Sequence, residues 1–579
     1  MRITTTSTTK ALSIAALALL GLTGCPGDDT SVDTEGDTET GTTTSTTAPT
    51  GPTTVADTTV ADTTATDTTA TDTTDGTSTT GPEQGLLERV VEALGGEAAL
   101  AGLTGVELQV SGERSITDES FNPGDPSVVV SNFQTTVSID FQNGGVRNDI
   151  SRNLLYFPIP GPLEITEWAV AEGGYVGGIE SAFGFPTGTM LSDRWASTLK
   201  QAVVLNPHIL VLGALEDPGT ASEAGTGDFE GQTYDLLEIA DDVSPLTLWV
   251  DQETDLVRRL TTTENSHLRR DVQLEVVYGD WEETADGVLF PNNVQLLVDG
   301  EVFHDESRDV VISNPEFDPD TFMLPPEADP MLDPLEAFRG LRNSQQSQAF
   351  AALGVPLDGL QTFVLAAEIA PGVHHLTGGS HNSLVVEQEG GVVVFDAPLT
   401  AERCEAILDW IDSDLGGAPV THIVQSHHHT DHASCARTFV AVGATLVVHE
   451  ASESFFADIL AAPSTIEPDR LEQMPVMDPI IEVVPTGGSF LIDDATNPVE
   501  VFELVSTHAA DMVLPFVTSS GVAFTVDVFN PGTGTFDPSG PQEVLATLNT
   551  YMIYGSVQQI AGGHGGVGTL AELEMAAGG

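Results

Sequence analysis

Ser426-His427-His428-His429-Thr430-Asp431-His432 packs four imidazoles and a carboxylate into seven consecutive residues. Eleven of the fourteen histidines fall after residue 370, a concentration that packing alone gives no reason for. In an extended or loop segment alternate side chains share a face, so His427 and His429 converge while His428 points away. Asp431 and His432 are adjacent and aim in a different direction, so one short loop can feed two separate cations. A borderline-soft ion such as zinc takes imidazole nitrogen and carboxylate oxygen at about 2.0–2.2 Å.

The elements around this loop are legible. The apolar run Val420–Val424 reads as the strand that delivers it, and a helical stretch from about Ala433 carries the chain away.

The H-x-H-x-D-H spacing resembles the metal-binding signature of the metallo-β-lactamase superfamily. The resemblance implies further ligands downstream, and the chain offers them in order: Ser506-Thr507-His508, Val522-Ala523-Phe524-Thr525-Val526-Asp527 and Gly562-Gly563-His564-Gly565. Upstream, Val392-Val393-Val394-Phe395-Asp396 resembles the family's early strand ending in a supporting Asp. By this resemblance His427, His429 and His508 hold one metal, Asp431, His432 and His564 hold a second, and Asp527 bridges the two. The expected cofactor is two zinc ions, with iron or manganese as alternatives. A hydroxide between the ions is the implied nucleophile, formed near neutral pH because bound cations lower the pKa of water. Asp431 doubles as the catalytic group that orients it or takes up a proton, and Asp396 fixes a histidine tautomer from behind.

The other histidines read more plainly. His374, His375 and His381 suit the cleft rim or an ordinary surface equally, and His449 suits a strand end. His208, His267 and His304 are scattered and suggest no site. Asp511 reads as a second supporting carboxylate or as an exposed loop charge.

The pattern also departs from the family's. Ala433-Ser434-Cys435 stands where two glycines often follow the Asp-His pair, and Asp527 stands where the secreted β-lactamase branch places a Cys ligand. The second departure points to the Asp-bridged hydrolases. The expected reaction is hydrolysis of an ester-like bond (a lactone, thioester or related small molecule). The alternatives are a β-lactamase-like or phosphoester activity, or a ligand-binding lipoprotein with an inactive hydrolase domain.

The expected fold class is α+β. Residues 361–579 form a four-layer αββα sandwich, after a Pro-rich linker and helix at 325–360. That helix starts at Asp333-Pro334, which suit an N-cap and first helical residue, and runs to about Leu353. Residues 83–324 form a mainly antiparallel β domain, read from alternations such as Val272, Leu274 and Val276. Leu246-Thr247-Leu248-Trp249-Val250-Asp251 and Gly287-Val288-Leu289-Phe290-Pro291 resemble the half-barrel of periplasmic lipoprotein carriers, which leaves a binding cup and a scaffold both open.

Arg2, Lys10 and the apolar run Ala11–Leu22 read as an export signal over residues 1–24. That run is shorter than the roughly 20 residues a spanning helix needs. Leu22-Thr23-Gly24-Cys25 resembles the lipobox of bacterial lipoproteins, which implies cleavage before Cys25 and acylation of its thiol. The chain would then be anchored in the bacterial cell envelope, at the outer membrane, with either face possible. Residues 25–82 are almost wholly Thr, Asp, Ser, Gly, Ala and Pro and read as an extended tether. Cys404 and Cys435 remain, either as a disulfide, which an oxidising compartment permits, or as two buried thiols. With 87 acidic against 18 basic residues and a formal charge of −69, nucleic acid is excluded as a partner.

Overall fold

The computed structural model describes residues 84–578, apart from 158, 160, 183–186, 356–361 and 534–536. The expected signal peptide, Cys25 and tether lie outside the described residues. Residues 85–579 belong to one compact unit.

The first part is an open antiparallel sheet of twelve strands. Inside it the first strand, Gly105–Ile116, pairs with the last, Glu301–Ser313. The edges are Gly173–Gly178 and Ala221–Phe229, consecutive in the chain. The connection between the edges carries two helices, Ser192–Leu205 and His208–Glu216, which the sequence pattern had not separated from the strands. Twelve of the fourteen residues of Ser192–Leu205 are buried, polar Arg194, Ser197 and Thr198 included, so its polar stripe does not face water. Leu199, Val203 and Ile209 from these helices share one core with Val106, Leu108 and Val146 from the sheet.

The Pro-rich segment is more than a linker. The single helix expected there is two, Pro334–Arg342 and Ser344–Leu353. Asp333 caps the first through its side chain, accepting from the Leu335 and Glu336 amides. The break falls at Asn343, whose Nδ2 donates to the Arg339 carbonyl and to Glu467, while its Oδ1 accepts from Asn265. Ala349, Phe350 and Leu353 pack into the core of the sheet domain.

The second part has a seven-stranded and a six-stranded sheet. Strand Gly391–Phe395 is buried along its whole length, and alternation sorts its two faces. Val393 and Phe395 pack with Val501, Phe516 and Phe524 of the other sheet. Val392 and Val394 pack outward with Ile407 of helix Ala401–Asp414 and Phe439 of helix Ala436–Ala441. On the far side Val544 and Leu548 of helix Ser539–Thr550 and Leu573 of helix Leu570–Ala576 complete the layers. This is the four-layer αββα sandwich. Cys404 and Cys435 are joined as a disulfide, with Cα atoms 6.1 Å apart.

The two parts are stitched together. Leu268, in the hairpin turn after strand Val257–Ser266, is fully buried among the outer-layer residues of the sandwich. Asp271 accepts from the amides of Thr465 (2.8 Å) and Ile466 (3.0 Å).

Candidate metal centre

Every residue of the implied ligand set lies just beyond the carboxyl end of a strand, where α/β sheets open their crevices. His427–His432 follow Val420–Val424, His508 follows Val499–Glu503, Asp527 follows Val522–Phe524, and His564 follows Gln559–Ala561. The Asp527 and His564 loops press together. Gly563 donates its amide to the Val526 carbonyl at 3.0 Å, and a Cβ there would lie 2.8 Å from Val526 Cα. Val526 itself holds φ 48°, a left-handed conformation that is strained for a β-branched residue.

Two groups of ligating atoms result. His427, His429, His508 and Asp527 form one, and His381, Asp431, His432 and His564 the other, with the atoms of each within 4.8 Å of one another. Asp527 joins them by dividing its carboxylate. Its Oδ2 lies 3.5 Å from His427 Nε2 and 3.2 Å from His508 Nε2. Its Oδ1 lies 2.9 Å from both His432 Nε2 and His564 Nε2. His432 Nε2, Asp431 Oδ1 and Asp527 Oδ1 are buried without a hydrogen-bond partner. Buried polar atoms left this way normally have a partner of another kind, and the donor set of imidazole and carboxylate fits zinc or a similar divalent cation.

The opposite ring nitrogens of His427, His432 and His564 are held, which leaves their inward ones free for a cation. His432 Nδ1 lies 3.0 Å from Asp396 Oδ2, and the other oxygen of Asp396 accepts the Ser426 amide at 2.9 Å. His427 Nδ1 meets Ser426 Oγ at 3.0 Å, and His564 Nδ1 meets the Ser380 carbonyl at 2.8 Å. Burial, then the neighbouring histidines, pushes His427 and His429 well below the usual imidazole range, so both rings are neutral, the form that binds metal. Burial would also lower His432, but Asp527, Asp431 and Asp396 reverse it and hold it well above.

His428 belongs to neither group. Its Nδ1 lies 2.8 Å from Asp511 Oδ1, and both side chains are fully buried. Asp511 is therefore no exposed loop charge. His428→Ala is expected to keep the metal content but to lower stability by about 1–3 kcal/mol, because it strands a buried carboxylate. Denaturant unfolding beside elemental analysis would check both parts.

Sequence reasoning missed three contributors. His381 is neither rim nor surface: it is buried, with Nε2 at 2.8 Å from Asp431 Oδ2. The signal was its place in Gly378-Gly379-Ser380-His381 between two strands. The other two come from the sheet domain, in the loop after strand Gly105–Ile116. His429 Nε2 donates to the Ser120 carbonyl at 3.1 Å. Glu119 accepts the Thr430 amide on Oε1 at 3.2 Å, and its Oε2 lies 3.5 Å from His429 Nδ1. Its side chain is 4% exposed. The Phe121 carbonyl accepts from the Ala510 amide at 2.8 Å, and Arg269 braces Asp118 at 2.6 Å. Burial, followed by the Asp431 and Asp527 charges, pushes the Glu119 carboxyl well above its usual range.

Residues 376–560 match the family model described as metallo-beta-lactamase superfamily. Three similar solved structures are a metallo-beta-lactamase from Pontibacter korlensis, the DIM-1 metallo-beta-lactamase, and FIM-1 from Pseudomonas aeruginosa in its mono-zinc form. They are 18%, 17% and 17% identical, each over 37% of this chain and over 97%, 96% and 94% of their own, with TM-scores of 0.30, 0.29 and 0.27. No curated protein matches the chain. On the family match residues 376–560 are a metallo-beta-lactamase superfamily domain, with His564 of the second ligand group just beyond the matched residues.

Proposed function

We propose that the chain is an exported, lipid-anchored hydrolase that uses two metal ions, best read as zinc, to cleave an ester-like bond in a small molecule. The observation that carries the dinuclear reading is the divided carboxylate of Asp527, one oxygen toward each ligand group. A metal pair held there supplies a nucleophile from water near neutral pH and polarises the bond under attack. The chain's own residues do the rest. Asp527 fixes the spacing of the two groups, Asp396 orients His432, and Asp431 stands between His381 and His432 where it can take up a proton.

An uncharged ester, lactone or thioester suits this pocket better than a phosphodiester. Glu119, Asp431 and Asp527 crowd the centre, and among the described residues no Arg or Lys forms an ion pair with any of them. A phosphodiester would have the bound cations alone, with no guanidinium clamp beside them, to hold its charge. Anchoring through Cys25, in the cell envelope, is supported by the Leu22-Thr23-Gly24-Cys25 motif and the apolar run before it.

The test is a panel of lactones, thioesters, phosphodiesters and a chromogenic cephalosporin, given to metal-loaded protein. Turnover of the uncharged esters is expected. Turnover confined to phosphodiesters or the cephalosporin would overturn the substrate class, and metal-loaded protein inert to every substrate would leave the binding-lipoprotein reading standing.

A further inference from the structure

Between helices Ser192–Leu205 and Ser344–Leu353 and the twelve-stranded sheet lies a cavity of about 80 Å³. One water needs about 10–15 Å³ measured this way, so there is room for a molecule of several heavy atoms. Sheet valines and leucines form part of the wall. Its polar lining includes Arg114, Arg152, Arg308, His304, Glu167, Glu306 and Asn206, with Arg114 only partly buried on the rim.

Five buried polar atoms of these residues lack a partner: Arg114 Nη1, Arg152 Nε, Arg308 Nη1, His304 Nδ1 and Asn206 Oδ1. Native interiors carry few such atoms, and a polar cavity is seldom empty. Their chemistry is mixed. The three guanidinium nitrogens are donors. His304 Nε2 donates to Glu306 at 2.9 Å, and burial lowers the ring to about 4, so its Nδ1 is a lone-pair acceptor. Asn206 spends its amide on the Ala202 carbonyl at 2.8 Å, which leaves its oxygen as a second acceptor.

The charges do not cancel. Arg308 pairs with Glu306 at 2.8 Å, and Arg194, behind the wall, pairs with Glu167 and Glu180 at 2.5 and 2.6 Å. Arg114 donates only to Gln201 at 3.2 Å, and Arg152 to the Glu180 carbonyl at 3.3 Å. Burial lowers both to about 10, so both stay protonated at neutral pH. Among the described lining residues three guanidiniums, Arg114, Arg152 and Arg308, stand against two carboxylates, Glu167 and Glu306, so the wall carries one positive charge in excess. Water can satisfy the hydrogen bonds, but it cannot offset the charge.

We infer that this cavity is a binding site for a small hydroxylated monocarboxylate, its carboxylate on Arg114 and Arg152 and its hydroxyl donating to His304 or Asn206. A carboxylate matches the planar guanidinium donors and the single excess charge. The hydroxyl meets one of the two acceptors from the ligand itself, where an anion lacking it leaves both to water.

Isothermal titration of the full chain, stripped of metal by a chelator, tests this with lactate and 3-hydroxybutyrate against propionate, butyrate and inorganic phosphate. A hydroxy acid is expected to bind about tenfold or more tightly than its deoxy counterpart, because the lost hydroxyl leaves buried acceptors unpaired. Arg114→Gln should weaken that binding by about tenfold or more. Absence of hydroxy-acid binding, equal affinity for propionate or butyrate, or preference for phosphate would each overturn the site. So would unchanged affinity in Arg114→Gln, or binding that appears only once metal is restored, which would place the ligand at the His/Asp centre. Should Arg114→Gln fail to fold, the analogue series on the unaltered chain decides alone.

Discussion

Asp527→Ala protein, purified from zinc-replete medium, is expected to carry fewer than about one metal ion per chain where the unaltered protein carries about two. The reason is geometric. Each oxygen of Asp527 serves a different ligand group, at 3.2–3.5 Å from the histidines on one side and 2.9 Å on the other. Removing it takes a ligand from both groups and lets His427, His432, His508 and His564 face one another with no anion between them. Turnover should fall by more than the roughly 10–100-fold that follows loss of a ligand's supporting partner alone. Elemental analysis and a steady-state assay read the two effects separately. Two ions retained by Asp527→Ala would show that the groups do not need the carboxylate they share, and the dinuclear reading would fail with it.

The second large effect is expected from a residue outside the sandwich. Glu119→Ala should weaken metal binding at the His427–His429–His508 group by about 10–100-fold, measured by competition with a chromogenic chelator. The Ser120 carbonyl closes the far side of His429 by taking the Nε2 proton, while Glu119 stands on its ligand side: one oxygen pins the Thr430 amide and the other faces His429 Nδ1, the nitrogen left for a cation. Without the carboxylate the Thr430 amide is stranded in a buried place and the acidic group beside the ligand nitrogen of His429 is gone. Unchanged affinity in Glu119→Ala would reduce the loop to a wall of the cleft. Raised activity would instead make it a plug.

The seven expected ligands were readable because each sits in a short local pattern, an apolar strand running straight into a polar donor. Asp396 was readable for the same reason. His381 was not, since a Gly-Gly-Ser-His loop between two strands looks like any turn. Glu119 and Ser120 were beyond reach: Ser120 meets His429 across 309 positions, and nothing local marks a pairing that only the docked domains create. The sheet domain was legible from its two-residue alternation. Its helices were not, because His208–Glu216 is apolar on nearly every side and Ser192–Leu205 is buried almost throughout, so neither presents the wet face that makes a helix recognisable.

The seating of Leu268 in the outer layer of the sandwich bears on how portable the sandwich is. Excised at the Pro-rich segment, the sandwich would keep its complete ligand set yet expose an apolar socket where that leucine sat, and His429 would be left with an untethered ring. Such a fragment would be prone to stick to its own kind through the vacated socket. The sandwich is fitted to this one neighbour and would not pass intact to another.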